Sequence, residues 1–97
     1  MAVSDADIAF ATDLFSDLGQ ITSRKMFGGL GLYHDGVIFA VVSSAGRVYV
    51  KTTADAAAAL AAAGAEQFHN MPYWSLPESA LDDPETACNW ARRFLNA

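Results

Sequence analysis

The 97-residue chain has one cysteine, no long hydrophobic run and no basic, apolar leader at its start. A single cysteine, Cys88, excludes an internal disulfide. No apolar run approaches the roughly 20 residues of a membrane-spanning helix, so we expect no membrane segment. The N-terminus also lacks the basic residues and the apolar stretch of a secretory signal. These absences predict a cytoplasmic protein.

The sequence also offers little from which a metal or nucleophilic site could be built. His34 and His69 have no ligand-spaced neighbours, so we expect no metal and no cofactor. Cys88 is most simply a small packing residue of a helix, although a Cys–His pair that forms only in space stays open. The glycine-rich run at 27–31 is not followed by the Gly-Lys-Ser/Thr of a phosphate-binding loop. We therefore expect a protein that is not an enzyme.

Size and charge favour one small globular domain covering residues 1–97. The apolar share of 53% is ample for a folded core. The net charge of −5 argues against a protein that coats nucleic acid. Four cations and one acid give residues 20–51 a charge of +3, whereas two cations and ten acids give the rest −8. The predicted sheet is therefore mildly basic and the predicted helices acidic.

Apolar spacing and capping residues predict three helices. The first covers 4–18, with Ser4 as its cap and Asp7 at capping-box spacing. The second covers 53–63, starts at Thr53 and is almost entirely alanine. The third begins at Asp83, which is followed by a proline in the first turn. In each helix the apolar residues recur at helical spacing, which predicts one buried stripe.

Four strands are predicted between the first two helices, at 22–26, 30–34, 37–43 and 47–52. Asp35 and Gly36 form a strong type I′ hairpin signal between the second and third strands. The connections are too short for crossovers, which favours an antiparallel meander. Pro72 and Pro77 favour an extended course for 71–77. The prediction is an α+β, two-layer fold of order α-β-β-β-β-α-β-α, with helices packed on an antiparallel sheet.

Two of the predicted strands differ in their patterning. The strand at 47–51 alternates, with Val48 and Val50 on one face and Tyr49 on the other. The strand at 37–42 is apolar throughout, so both of its faces should be covered. Helices can cover one face, and a loop, the aromatic segment or a second copy of the chain can cover the other. A homodimer formed through the sheet is therefore one hypothesis, and self-coverage is the alternative.

The chain resembles the N-terminal domain of the TfoX family of competence regulators. The resemblance rests on short segments in a fixed order over nearly the whole chain. These are Arg24-Lys25-Met26-Phe27-Gly28-Gly29, Gly31-Leu32-Tyr33, Asp35-Gly36, Phe39-Ala40, Val48-Tyr49-Val50-Lys51, Phe68, Met71-Pro72-Tyr73, Leu76-Pro77 and Trp90-Ala91.

That resemblance implies an antiparallel sheet with helices on it and a role in regulating genes for DNA uptake during natural transformation. It brings no catalytic residues. Longer members of the family carry a further helical domain of nucleic-acid-binding type, and the expectation here is a single-domain member.

Candidate partner-binding residues come from the basic and aromatic positions of the predicted sheet and the aromatic segment. They are Arg24, Lys25, Arg47, Tyr49, Lys51, Tyr73 and Trp74. A basic, aromatic sheet face suits phosphate or an acidic partner. The same residues can instead be an ordinary strand surface that resists edge pairing. For Tyr73 and Trp74, core packing is the alternative to a partner-binding lip.

Three functional hypotheses follow. The first is a small regulatory domain that binds a protein partner of unknown identity. The second is a nucleic-acid-binding module that uses the basic sheet face, which predicts affinity falling steeply with salt. The third is a small enzyme with a site at a dimer seam, which requires a pocket with convergent polar groups.

Overall fold

The computed structural model describes residues 3–26 and 28–96. In that part of the chain the predicted α+β class and element order are confirmed, with a 3₁₀ turn and one short helix in addition. The elements are α1 (Asp5–Leu14), the 3₁₀ turn (Ser16–Leu18), β1 (Ile21–Met26), β2 (Gly29–His34), β3 (Val37–Val42), β4 (Val48–Lys51), α2 (Ala54–Ala62), β5 (Tyr73–Ser75), α3 (Glu78–Leu81) and α4 (Pro84–Leu95).

Three helices begin at a side chain that satisfies free backbone N–H groups. The Ser4 hydroxyl accepts from the N–H of Asp7, and the Asp7 carboxylate accepts from the N–H of Ser4, which is the predicted capping box. Thr53 caps α2, and Asp83 caps α4 ahead of its proline. The predicted helix starts are therefore confirmed.

The first helix is shorter than predicted. The sequence predicted one helix over 4–18, whereas α1 ends at Leu14 and a 3₁₀ turn follows. The Ser16 hydroxyl donates a hydrogen bond of 2.8 Å to the carbonyl of Asp13. A serine that bonds a nearby carbonyl offers the backbone an alternative to continuing the helix. The apolar stripe still reaches the core, since Leu18 packs against it from the 3₁₀ turn.

The five strands form one antiparallel sheet in the order β1-β2-β3-β4-β5. The β2–β3 connection is the predicted hairpin, with φ of 51° at Asp35 and 79° at Gly36. Positive φ at both central residues is what a type I′ turn requires. The successive glycines Gly28 and Gly29 favour a bend or bulge after β1, and Gly28 has a φ of 77°, while the preceding Phe27 lies outside the described residues.

An irregularity in the pairing of β3 accounts for part of its apolar run. The register shifts after Leu32, which pairs with Ala40. The next residue, Tyr33, pairs with Ile38, so Phe39 is an extra residue in β3. Phe39 and Ala40 are both fully buried on the helix side. A bulge of this kind turns two successive side chains the same way, while Ile38 and Val41 keep apolar side chains on the other face.

The helices pack on one face of the sheet and enclose a single core. The rings of Phe15 and Phe39 meet edge to face, with centroids 5.2 Å apart and an interplanar angle of 81°. Small residues of α4, among them Ala87, Cys88 and Ala91, are fully buried against the sheet. The predicted two-layer architecture is thus confirmed, with Val48 and Val50 facing the core.

Cys88 belongs to this core. Its Sγ donates to the carbonyl oxygen of Leu14 at 3.6 Å, and burial raises the pKa of the thiol. The packing role predicted for this cysteine agrees with its position. Among the described residues, no group of three or more His, Cys, Asp or Glu side chains is placed to hold a metal ion.

The chain covers the outer edge of β5 with its own backbone. Residues 66–68 run beside this strand, where Gln67 pairs with Trp74. The N–H of Phe68 donates to the carbonyl of Tyr73 at 2.8 Å, and the N–H of Ser75 donates to a carbonyl at position 66 at 2.9 Å. Throughout the described ranges, none of the helices is both long enough and apolar enough to cross a membrane.

Candidate functional site

The sheet face turned away from the helices is the open face. Strand register places Arg24, Gly31, Val41 and Tyr49 in one row across it, from β1 to β4. Directly opposed residues of paired strands point to the same side, so this row shares one face. The row differs from its neighbour, in which Val50 and other residues are buried against the helices. The open face therefore combines a cation, an apolar centre and an aromatic.

An apolar groove of about 330 Å³ lies on this face, here termed the sheet groove. Its lining comes from the first three strands, the β3–β4 turn and the segment before and into β5. The lining residues are Met26, Gly29, Leu30, Ile38, Val41, Val42, Ser43, Ser44, Phe68, His69, Met71 and Tyr73. A mostly apolar concavity with a few polar groups is the usual form of a binding site.

Two glycines allow the strands beneath the groove to pack as they do. A Cβ at Gly29 would lie 2.2 Å from the backbone oxygen of Val42, so no side chain fits there without moving the backbone. A Cβ at Gly31 would lie 2.6 Å from Cε of Met26 and 3.2 Å from Cδ1 of Ile38. The missing side chain at Gly31 thus lets flanking apolar side chains close over the strand.

The segment before β5 covers the far side of the open face. The ring of Phe68 lies 4.8 Å from that of Tyr49, and the ring of His69 lies 4.5 Å from Phe68. The Gln67 amide donates to the carbonyl of Met71 at 3.0 Å, which closes the segment into a tight loop. The Met71 side chain remains 46% exposed beside the groove. The chain thus covers part of its own open face and leaves the β1–β3 part open.

The two cations of β1 lie on opposite faces, because successive residues of a strand alternate between its faces. Arg24 is on the open face, with its guanidinium carbon 6.0 Å from the centroid of the Tyr33 ring. Lys25 pairs with Leu30 and points to the helix side at the sheet edge. Both side chains are exposed. Among the described residues, neither has a carboxylate within 4.0 Å.

Arg47 holds the β4 end of the open face to the segment that covers β5. Its Nη2 lies 3.4 Å from Oε1 of Glu66 and 3.4 Å from Oγ of Ser75. The same guanidinium lies 5.8 Å from the ring centroid of Tyr49. Ser75 is buried, and its hydroxyl also accepts from the N–H of Glu66 at 2.9 Å. These bonds give Arg47 a structural role whatever else it does.

The remaining predicted residues do not gather around Arg47. The Nζ of Lys51 lies 5.0 Å from the ring centroid of Phe94 in α4. Tyr73 is buried and lines the sheet groove, and burial, then the nearby Tyr33, raises the pKa of its hydroxyl. Trp74 pairs with Val50 and packs against the core on the opposite face. The candidate set is therefore divided between the two faces and does not form one basic cluster.

Sequence reasoning missed most of the groove. Met26, Ile38, Val41, Phe68 and Met71 were not among the predicted site residues. The apolar run of β3 was the one available signal, because it indicated apolar side chains on a second face. For residues 68–73 the sequence indicated only that the aromatic segment could cover a sheet face and that Tyr73 could contact a partner. The places of Phe68 and Met71 depend on how the loop folds back over β4.

The TfoX N-terminal domain matches residues 13–97 of this chain. None of the curated proteins compared matches it. The matched range includes every strand of the sheet and all residues that line the groove. The chain belongs to the TfoX N-terminal domain family.

Proposed function

We propose that this chain is a small, non-enzymatic regulatory domain of the competence-regulator type that acts by binding another protein. In this proposal the sheet groove receives an apolar side chain from the partner. The observation that carries it is the groove itself, an apolar concavity on the open face with Met71 exposed beside it. The family to which the chain belongs supplies the regulatory setting.

The energetics of the groove support a protein segment as its occupant. Ile38 and Val41 are half-buried and gain stabilisation if a partner removes them from water. Burying apolar surface contributes about 25 cal/mol per Å², so one inserted aliphatic side chain supplies roughly 1.5–3 kcal/mol. A volume of about 330 Å³ is at the small end of the usual range for ligand sites. It suits one or two side chains better than a large cofactor.

The second candidate is nucleic-acid binding through the same face. Arg24 beside Tyr33 and Arg47 beside Tyr49 are cation–aromatic pairs of the kind that bind single strands. Arg24 lies in β1 and Arg47 directly precedes β4. These two strands are three strand spacings, roughly 14 Å, apart. Arg47 is also bonded to Glu66, which reduces its charge toward a polyanion. These observations favour the protein partner.

The test is affinity capture from the source cell's lysate, with and without nuclease, using three tagged versions of the chain. They are the wild type, Val41→Lys in the groove, and Ala58→Lys as the matched control on the exposed side of α2. Thermal unfolding of each version establishes that the fold is intact. We expect a protein that the wild type and Ala58→Lys retain after nuclease treatment and that Val41→Lys loses.

Two results would contradict the proposal. Equal capture by all three versions would remove the groove from the interaction. Capture that disappears with nuclease would favour the nucleic-acid candidate. Capture of a second copy of this chain, with the same sensitivity to Val41→Lys, would identify the partner as the chain itself, as the sheet-dimer hypothesis holds.

A further inference from the structure

The two edges of the sheet are treated differently by the chain. Residues 66–68 cover the outer edge of β5 with backbone hydrogen bonds. β1 (Ile21–Met26) pairs only with β2 among the described residues. In an antiparallel strand, about half of the backbone N–H and C=O groups point away from its neighbour. Residues 22–25 are all exposed, so this outer row of donors and acceptors faces solvent.

The charge of β1 selects what can pair with it. The strand carries Arg24 and Lys25 and no acid. Because these two side chains lie on opposite faces, a strand added beside β1 meets one cation on each face. None of the five strands contains an acid, and among the described residues no carboxylate lies within 4.0 Å of Arg24 or Lys25. A partner strand must supply the opposing charge.

We propose that β1 accepts an extended, acidic segment of a partner protein as a sixth strand of the sheet. Backbone hydrogen bonds to the outer row of β1 provide the attachment. Adjacent acidic residues in the segment, one toward each face, pair with Arg24 and Lys25 across the strands. This edge shares only Met26 with the lining of the sheet groove, and the inference does not depend on the groove binding anything.

Positive charge at a sheet edge also restricts which strands can pair with it. Lysine and arginine on edge strands oppose pairing with neutral or basic strands, which protects a protein from aggregation. The same residues favour an acidic strand, so the charges that oppose aggregation also select the partner. Self-pairing of β1 with a second copy would bring four cations into one seam. The partner that fits is therefore an acidic segment and not another copy of β1.

A peptide titration of the isotope-labelled full chain tests the inference. The probe is an acetylated, amidated hexapeptide of sequence Thr-Val-Glu-Glu-Val-Thr. One matched control replaces both glutamates by lysine. A second keeps the acids but carries N-methyl groups on alternate residues, which removes donors needed for strand pairing. The readouts are backbone amide shifts and amide hydrogen exchange in β1.

The protein variants match one another in charge change. Arg24→Glu and Lys25→Glu each reverse one cation of β1, and Arg93→Glu reverses an exposed cation of α4. We expect the acidic peptide to shift β1 amides and to slow their exchange. Each β1 reversal should weaken its binding by about fivefold, because an attractive cross-strand pair becomes a repulsive one. Arg93→Glu should leave binding unchanged.

Several outcomes would overturn the inference. These are equal binding of the lysine peptide, retained binding of the N-methylated peptide, or no β1 shifts up to about 1 mM peptide. Slow exchange in β1 without any peptide, together with a dimeric mass, would show that a second copy covers the edge. Val41→Lys separates the two proposals: it should abolish groove binding and leave peptide binding at β1 intact.

Discussion

At the scale of single residues, the shape of the open face depends on positions that carry no side chain. Gly29 lies where any Cβ would collide with the carbonyl of Val42 in the neighbouring strand. Gly31 sits beneath side-chain ends that can move aside. The two glycines are two residues apart in β2, yet one is required by the backbone and the other by the packing above it.

The first prediction compares alanine at these two glycines. Gly29→Ala should lower the free energy of unfolding by about 1–3 kcal/mol, because overpacking against backbone forces the strands apart. Gly31→Ala should cost less than about 1 kcal/mol, since the flexible Met26 side chain can rotate away from its Cβ. Urea unfolding of both variants measures the difference. A larger loss for Gly31→Ala would contradict the account of the sheet's backbone.

At the scale of elements, the start of α4 is set by a short polar network. The Thr86 hydroxyl donates to a carboxylate oxygen of Asp83 at 2.7 Å, and the Thr86 N–H donates to the other oxygen. The hydroxyl bond first, and then the backbone bond, hold the pKa of Asp83 below its ordinary value of 3.8. The ionised form is thus preferred in the folded protein.

The second prediction is the pH dependence of this cap. A carboxyl whose pKa is lowered by folding stabilises the protein above its unfolded value, and that contribution is lost as pH falls through the folded pKa. Wild type should therefore exceed Asp83→Asn in stability near neutral pH, and the difference should shrink as pH falls below the ordinary carboxyl pKa of 3.8. Urea unfolding across this range measures it. Glu85→Gln, two residues after Asp83, is the control for the effect of removing one acid from the start of α4.

A constant difference between wild type and Asp83→Asn at every pH would contradict this account of the cap. It would mean that the side-chain amide fails because its NH2 group cannot accept one of the two bonds from Thr86, and that charge is not involved.

The sequence predicted those features of the elements that depend on neighbouring residues, and missed those that depend on strand pairing or lack a periodic pattern. Caps and turns were predictable because Ser4, Thr53, Asp83 and the Asp35–Gly36 pair act through their immediate neighbours. The bulge in β3 was not predictable, because the face on which Phe39 lies depends on how β2 pairs with β3. The short helix α3 was also missed, since four residues carry no periodic pattern.

At the scale of the whole molecule, the two surfaces that we propose as binding sites lie on the side with little acid. The helix layer holds most of the acidic residues, whereas the open face and the β1 edge carry Arg24, Lys25 and Arg47. The sheet groove joins Met26 to Phe68 and Met71, which are some forty residues apart in the chain. Such a surface follows from the completed fold. The sequence therefore predicted the fold and its charge asymmetry but not the groove.

The measurement that tests the central claim most directly is site-specific photo-crosslinking in the source cell. A benzophenone amino acid replaces Met71 beside the groove, and a matched version carries it at Ala58 on the exposed side of α2. We predict a protein adduct at position 71 that resists nuclease, is absent at position 58 and disappears when Val41→Lys is added. The same adducts at both positions, or an adduct at position 71 that Val41→Lys does not change, would contradict a partner held in the sheet groove.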